Sequence, residues 1–150
     1  MTLMNGLKPL KRRVDQALRS LSNDGFRIAS GSDEGWLGDG IYILTNGRES
    51  LRITRARNEE FLDVAFKGNP GEQDWIGVAE LMVAVGELSF DEAVSGRAVP
   101  HDLDFKLEAY RRIRSKVGAT LGADPAIHAK LAEIRQQSNE FVRQKYGRKA

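Results

Sequence analysis

Cysteine is absent from the 150 residues. That removes disulfides, thiolate metal ligands and a thiol nucleophile, and it fits a reducing, cytoplasmic setting. Histidine is almost absent, with only His101 and His128. General acid–base chemistry needs a histidine held beside an orienting carboxylate. His101 has Asp102 and Asp104 close by in sequence, but residues one or two apart on a helix do not face one another. Long apolar runs are missing too. The longest apolar-rich stretch, residues 78–85, is interrupted by Glu80 and is far shorter than a membrane span. Residues 1–10 hold no apolar core and run into Lys11-Arg12-Arg13, unlike a secretory signal. A phosphate-cradling glycine loop should follow a strand and open a helix, whereas Gly38-Asp39-Gly40 precedes a strand. These absences lead to the expectation of a non-enzymatic chain with no cofactor, no metal and no membrane segment.

What is present is an uneven distribution of charge. The net charge is only +2. Residues 31–96, however, hold thirteen Asp/Glu against five Lys/Arg, for −8, while residues 97–150 carry +6 and residues 1–30 carry +4. The acidic block coincides with the part of the chain that reads as β-sheet. An acidic sheet flanked by basic helices suggests a surface that meets a cationic protein.

The periodicities give an α+β order. Leu7, Leu10, Val14, Leu18 and Leu21 recur every three or four residues and predict a helix over residues 8–22, stopped by Asn23-Asp24-Gly25. Residues 26–29 read as a short strand. The next ten residues, 31–40, hold four glycines and three carboxylates and read as a loop. Strands are predicted at 41–45, 50–57 and 60–66, the first two joined through Asn46-Gly47, a strong hairpin signal. Leu51 and Ile53 alternate with Arg52 and Thr54, and Leu62 and Val64 with Phe61 and Asp63, as in an antiparallel meander with one wet face. Arg52, Arg55 and Arg57 are placed to pair across strands with Glu60 or Asp63. Trp75, Val78, Met82 and Val85 predict a helix over 72–85. Ser89-Phe90-Asp91-Glu92 has the form of a capping box. Leu103, Leu107, Tyr110, Ile113 and Val117 mark a helix with Asp102 as its cap, and Asp124-Pro125 opens the last one. The expectation is one α+β domain over residues 1–150: an N-terminal helix, a small three- to four-stranded antiparallel meander, and several C-terminal helices packing on one face.

Candidate partner-binding residues lie in the acidic block. Asp33, Glu34 and Asp39 sit on the glycine-rich segment around Trp36. Their spacing does not match a calcium loop, so the alternatives are a solvated turn or a partner-binding loop. Trp36 is either the anchor of such an interface or a core residue beneath the sheet. Glu59, Glu60 and Asp63 lie on or beside the last strand, and each singly reads as a wet-face acid balanced by arginine. The basic clusters around Lys11–Arg13 and Arg111–Lys116, and the basic C-terminal tail, give a second reading as a nucleic-acid-associated protein, without interleaved aromatics for base stacking.

The run from Ser50 to Phe66, SLRITRARNEEFLDVAF, followed by a Gly/Pro turn and the apolar segment 75–81, resembles a layout of small bacterial immunity proteins. These accompany polymorphic toxins, including contact-dependent growth-inhibition systems. The similar part covers about residues 36–86. The resemblance implies a cytoplasmic, non-enzymatic protein that binds and neutralises one cognate toxin domain, and it carries over no specific residues.

Overall fold

A computed structural model describes residues 9–34, 39–57, 59–95, 99–100, 102–117 and 124–147. Helix α1 (Leu10–Ser20) is followed by strands β1 (Arg27–Glu34), β2 (Asp39–Thr45), β3 (Ser50–Ala56), β4 (Glu59–Ala65) and β5 (Ile76–Gly77), then helices α2 (Val78–Ala84), α3 (Phe90–Ser95), α4 (Leu103–Val117) and α5 (Pro125–Tyr146). The chain divides into two compact units, one from the described residues of 1–78 and 100–110, the other from those of 79–99 and 111–150.

The first unit is an antiparallel sheet in the order β1-β2-β3-β4-β5. The α+β class and the antiparallel meander are as the sequence predicts, with five strands in place of three or four. The β2–β3 hairpin is closed locally. Asn46 Oδ1 accepts from the N–H groups of Arg48 and Glu49, folding the β2–β3 link back on itself. Just after β3, Arg57 takes φ 54°, and its N–H donates to Asp39 Oδ1 at 3.3 Å.

Alternation along the strands separates two faces. Tyr42, Leu44, Leu51, Ile53, Leu62 and Val64 are buried on the core face; Leu10, Val14 and Ala17 of α1, which packs on β1 and β2, and Leu103, Leu107 and Tyr110 of α4 are buried in the same unit. Tyr110 is fully buried, and its hydroxyl donates to Glu49 Oε2 at 3.0 Å.

Two glycines read as loop residues are packing sites instead. Gly31 lies opposite Tyr42 at φ 149°, and a Cβ there would fall 2.4 Å from the tyrosine ring. A Cβ on Gly40 would meet the backbone of β1 and, at 3.1 Å, Leu10 of α1. The glycines let a ring and a helix approach the sheet closely. The segment predicted as a loop is therefore mostly strand: β1 continues to Glu34 and β2 starts at Asp39.

The predicted helix over 72–85 is corrected in the same way. Asp74 Oδ2 accepts from the Gly71 N–H at 2.7 Å and closes a single 3₁₀ turn at Glu72–Asp74. Ile76 and Gly77 then extend to pair with Val64 and Asp63 on the edge of β4, and the helix begins only at Val78. Of the predicted stripe, Trp75, Val78 and Met82 are buried and Val85 is half-buried; a β-branched residue and a glycine beside an open sheet edge took the extended form.

In the second unit, Leu81, Met82 and Val83 of α2, Ile113 of α4 and Ile127, Leu131 and Ile134 of α5 are buried. The predicted capping box is present, with Ser89 and Glu92 exchanging side-chain-to-backbone bonds at 3.0 and 3.1 Å. Asp124 caps α5 by accepting from the Ala126 N–H at 2.9 Å. Glu87 accepts both Nε and a terminal nitrogen of Arg112, at 3.2 and 2.6 Å. Among the described residues no helix is long and apolar enough to cross a membrane.

Candidate partner-binding surface

The register of the sheet sorts the predicted acids. One row across four strands is Asp33, Gly40, Arg55 and Glu60, on the core face; the adjoining row holds Asp39, Ala56 and Glu59, on the outer face. Beyond the second row, still on the outer face, come Ser32, Ile41, Thr54 and Phe61, then Ser30, Ile43, Arg52, Asp63 and Gly77. Asp39, Glu59 and Asp63 thus share the outer face, with Glu34 opposite Asp39 in register. Asp33 and Glu60 lie on the other side, and Trp36 is outside the described residues.

Glu60 is the centre of a buried ionic cluster and is only 7% exposed. Its Oε1 accepts from Arg13 at 2.9 Å and from the Leu103 N–H at 3.0 Å; its Oε2 accepts from Arg13 Nε at 3.1 Å and from Arg55 at 2.9 Å. Four donors therefore meet one carboxylate, among them an N–H at the positive end of α4. Burial is the strongest single influence on this carboxyl and opposes its charge. The bonds from Arg13, Arg55 and Leu103 together outweigh it and bring the pKa from 4.5 down to about 2. In return, the bond to Glu60 holds the Arg13 guanidinium above its ordinary value against its own burial. Arg13 also bridges to Asp102 at 3.2 Å and Asp104 at 3.4 Å, fixing α1 to the start of α4.

Lys106 of α4 completes the cluster from the edge of the sheet. Because β5 pairs only with Asp63 and Val64, the Glu60 carbonyl is left at an open edge, and the Lys106 ammonium donates to it. Its nitrogen also lies 5.1 Å from the centre of the Phe61 ring. Burial pushes the Lys106 pKa down, against the pull of Glu59, Glu60, Asp63 and Asp102. At the far end of the row, Asp33 accepts from the Lys11 N–H at 3.2 Å and the Tyr42 hydroxyl at 3.2 Å. Burial, and then the charge of Asp33, raise the Tyr42 pKa. Asp33 and Glu60 hold α1 and α4 to the sheet. The sequence carried the signal for this, since Arg55 has the parity of Leu51 and Ile53, and Glu60 that of Leu62 and Val64.

The outer face is different in kind. Ile41 is 36% exposed and Phe61 37%, with Thr54 between them. On one side lie Asp39 and Glu59. On the other, Arg52 bridges to Asp63 at 3.0 Å and Glu72 at 3.6 Å while its guanidinium stacks 4.7 Å over Trp75. One cation thus answers two carboxylates, and that group keeps a net negative charge.

Several of the basic residues that suggested nucleic acid are engaged with carboxylates: Arg13 in the Glu60 cluster, Lys11 with Asp15, and Arg112 and Lys116 with Glu87. His128 is exposed on α5, and His101 lies outside the described residues. Among the described residues, no three His, Asp or Glu side chains gather as a metal site. Comparison with protein-family models, with curated proteins and with solved structures returns no match to this chain.

Proposed function

We propose that the protein is a non-enzymatic protein-binding module, a cytoplasmic immunity protein that binds and neutralises a cognate, cationic, nuclease-like toxin domain through the outer face of its sheet. The observation that carries this reading is the exposed apolar pair Ile41 and Phe61, on either side of Thr54, with carboxylates on both sides. An apolar centre inside a charged rim is the composition of a protein interface. The acidic rim steers a basic partner, and the aromatic anchor holds it once docked. Asp39, Glu59 and Asp63 form the rim, with Phe61 added as anchor. Asp33 and Glu60 act behind the surface, keeping the sheet rigid.

The test is co-purification with a cationic, nuclease-like toxin domain. A one-to-one complex that weakens with salt is expected. Phe61→Asp combined with Glu59→Lys should weaken it about 100-fold while the fold is retained. Absence of a complex at low salt, or a complex indifferent to both substitutions, removes the reading.

A further inference from the structure

The distal half of α5 presents a second exposed apolar patch, of opposite charge to the sheet. Ile127, Leu131 and Ile134 are buried, and the same 4-3 spacing continues through Ser138, Phe141 and Lys145, with Val142 beside them. A continuous stripe at that spacing is one helix face. Yet Phe141 is 37% and Val142 39% exposed. Arg143 and Lys145 follow, and the Lys145 ammonium lies 5.5 Å from the centre of the Phe141 ring. An apolar, basic helical turn is thus carried by the same chain as an apolar, acidic sheet face.

We propose that these two patches are partners between two copies of this chain, with the Phe141–Lys145 turn of one copy lying across the Ile41-Thr54-Phe61 row of the other. Both patches are solvent-exposed. The sizes agree: three adjacent strands span about 10 Å, and a helix with its side chains is about 10 Å wide. The charges agree as well: Lys145, one turn on from Phe141 on the same helix face, meets Asp39, Glu59 and Asp63. The contact uses the outer face assigned above but not the identity of its toxin. Self-association would cover that face until a stronger partner displaces the helix.

The experiment uses the purified chain alone, so its failure is separate from failure to bind a toxin. Sedimentation velocity from about 5 µM to about 1 mM at low salt should show reversible association, weakening as the Debye length shrinks at higher ionic strength. Phe61→Asp and Phe141→Asp should each weaken it about tenfold or more. An equimolar mixture of the two variants should recover a pair, because one supplies an intact sheet face and the other an intact helix. Ile41→Ser and Val142→Ser, gentler changes on the same patches, should repeat the pattern, and thermal unfolding checks that each variant is folded. A single-chain mass at every concentration overturns the proposal. So does association that survives in either aspartate variant, or a mixture that fails to pair.

Discussion

Glu59 and Glu60 are neighbours in the chain and opposites in the structure. Glu60 points to the core face, where two arginines and the first N–H of α4 surround it; Glu59 points to the outer face, in the row that borders Ile41, Thr54 and Phe61. The same division separates Asp33 from Asp39. One residue of parity decides whether a carboxylate fastens helices to the sheet or faces what approaches from outside. The −8 of residues 31–96 is therefore not the charge of a surface. Part of it is neutralised by Arg13, which the chain supplies from α1, and part by Arg112 of the second unit's own basic helix.

The contrast between the faces should be greatest at Glu60. Glu60→Ala leaves Arg13 and Arg55 facing a cavity, and loss of one partner from a buried ionic group costs about 3–5 kcal/mol. Asp63→Ala, on the outer face, removes a partly exposed pair with Arg52 and should cost about 1 kcal/mol or less. Guanidinium unfolding of the two variants measures the difference. Equal losses would mean that the two faces are energetically alike.

A pH titration isolates the charge of the same residue. The Glu60 pKa is about 2 in the folded chain against an ordinary 4.5, so its stabilisation is present in full above 4.5 and is lost as the pH falls towards 2. The shift corresponds to about 3 kcal/mol. Urea midpoints between pH 6 and about 2 should trace that loss. In Glu60→Gln the same acid limb should be visibly flatter; a limb as steep as the parent's would place the proton uptake on other carboxylates.

How far the sequence reveals this arrangement depends on the kind of signal. Period-two alternation in β3 and β4, the stripe of α1 and the caps at Ser89, Asp102 and Asp124 are local effects and are legible. Gly31 and Gly40 are not, because a glycine that admits a tyrosine ring or a helix looks the same in sequence as one that makes a turn; only the partner across the sheet distinguishes them. In the 72–85 stripe Trp75, Val78 and Met82 are buried as predicted and Val85 only in part, and the backbone before Val78 is not helical, since pairing with the edge of β4 outweighed helical spacing. Parity does assign Arg55 and Glu60 to the apolar face. What it lacks is Arg13, some 47 residues earlier, whose arrival makes a buried carboxylate tolerable. The division of the acids between two faces was accordingly available in outline, but its cause was long-range.

The mildest changes fall on Ile41 and Tyr42, another adjacent pair on opposite faces. Tyr42→Phe removes a hydroxyl that donates to Asp33 from a nearly buried ring, and should cost about 1 kcal/mol. Asp33 keeps the Lys11 N–H, so the loss is one bond and not the whole corner. Ile41→Thr keeps the β-branched shape that suits a strand and gives up only partly exposed surface, so the change should stay within about 0.5 kcal/mol. Both are read from denaturant midpoints at about 1 µM chain, where self-association of ordinary strength is dissociated. At about 1 mM the order should change, because Ile41 then lies beneath the helix of a second copy and its replacement by threonine weakens that contact as well as the strand. A cost for Ile41→Thr that is the same at both concentrations would confine the residue to its own sheet and leave the outer face without a second copy upon it.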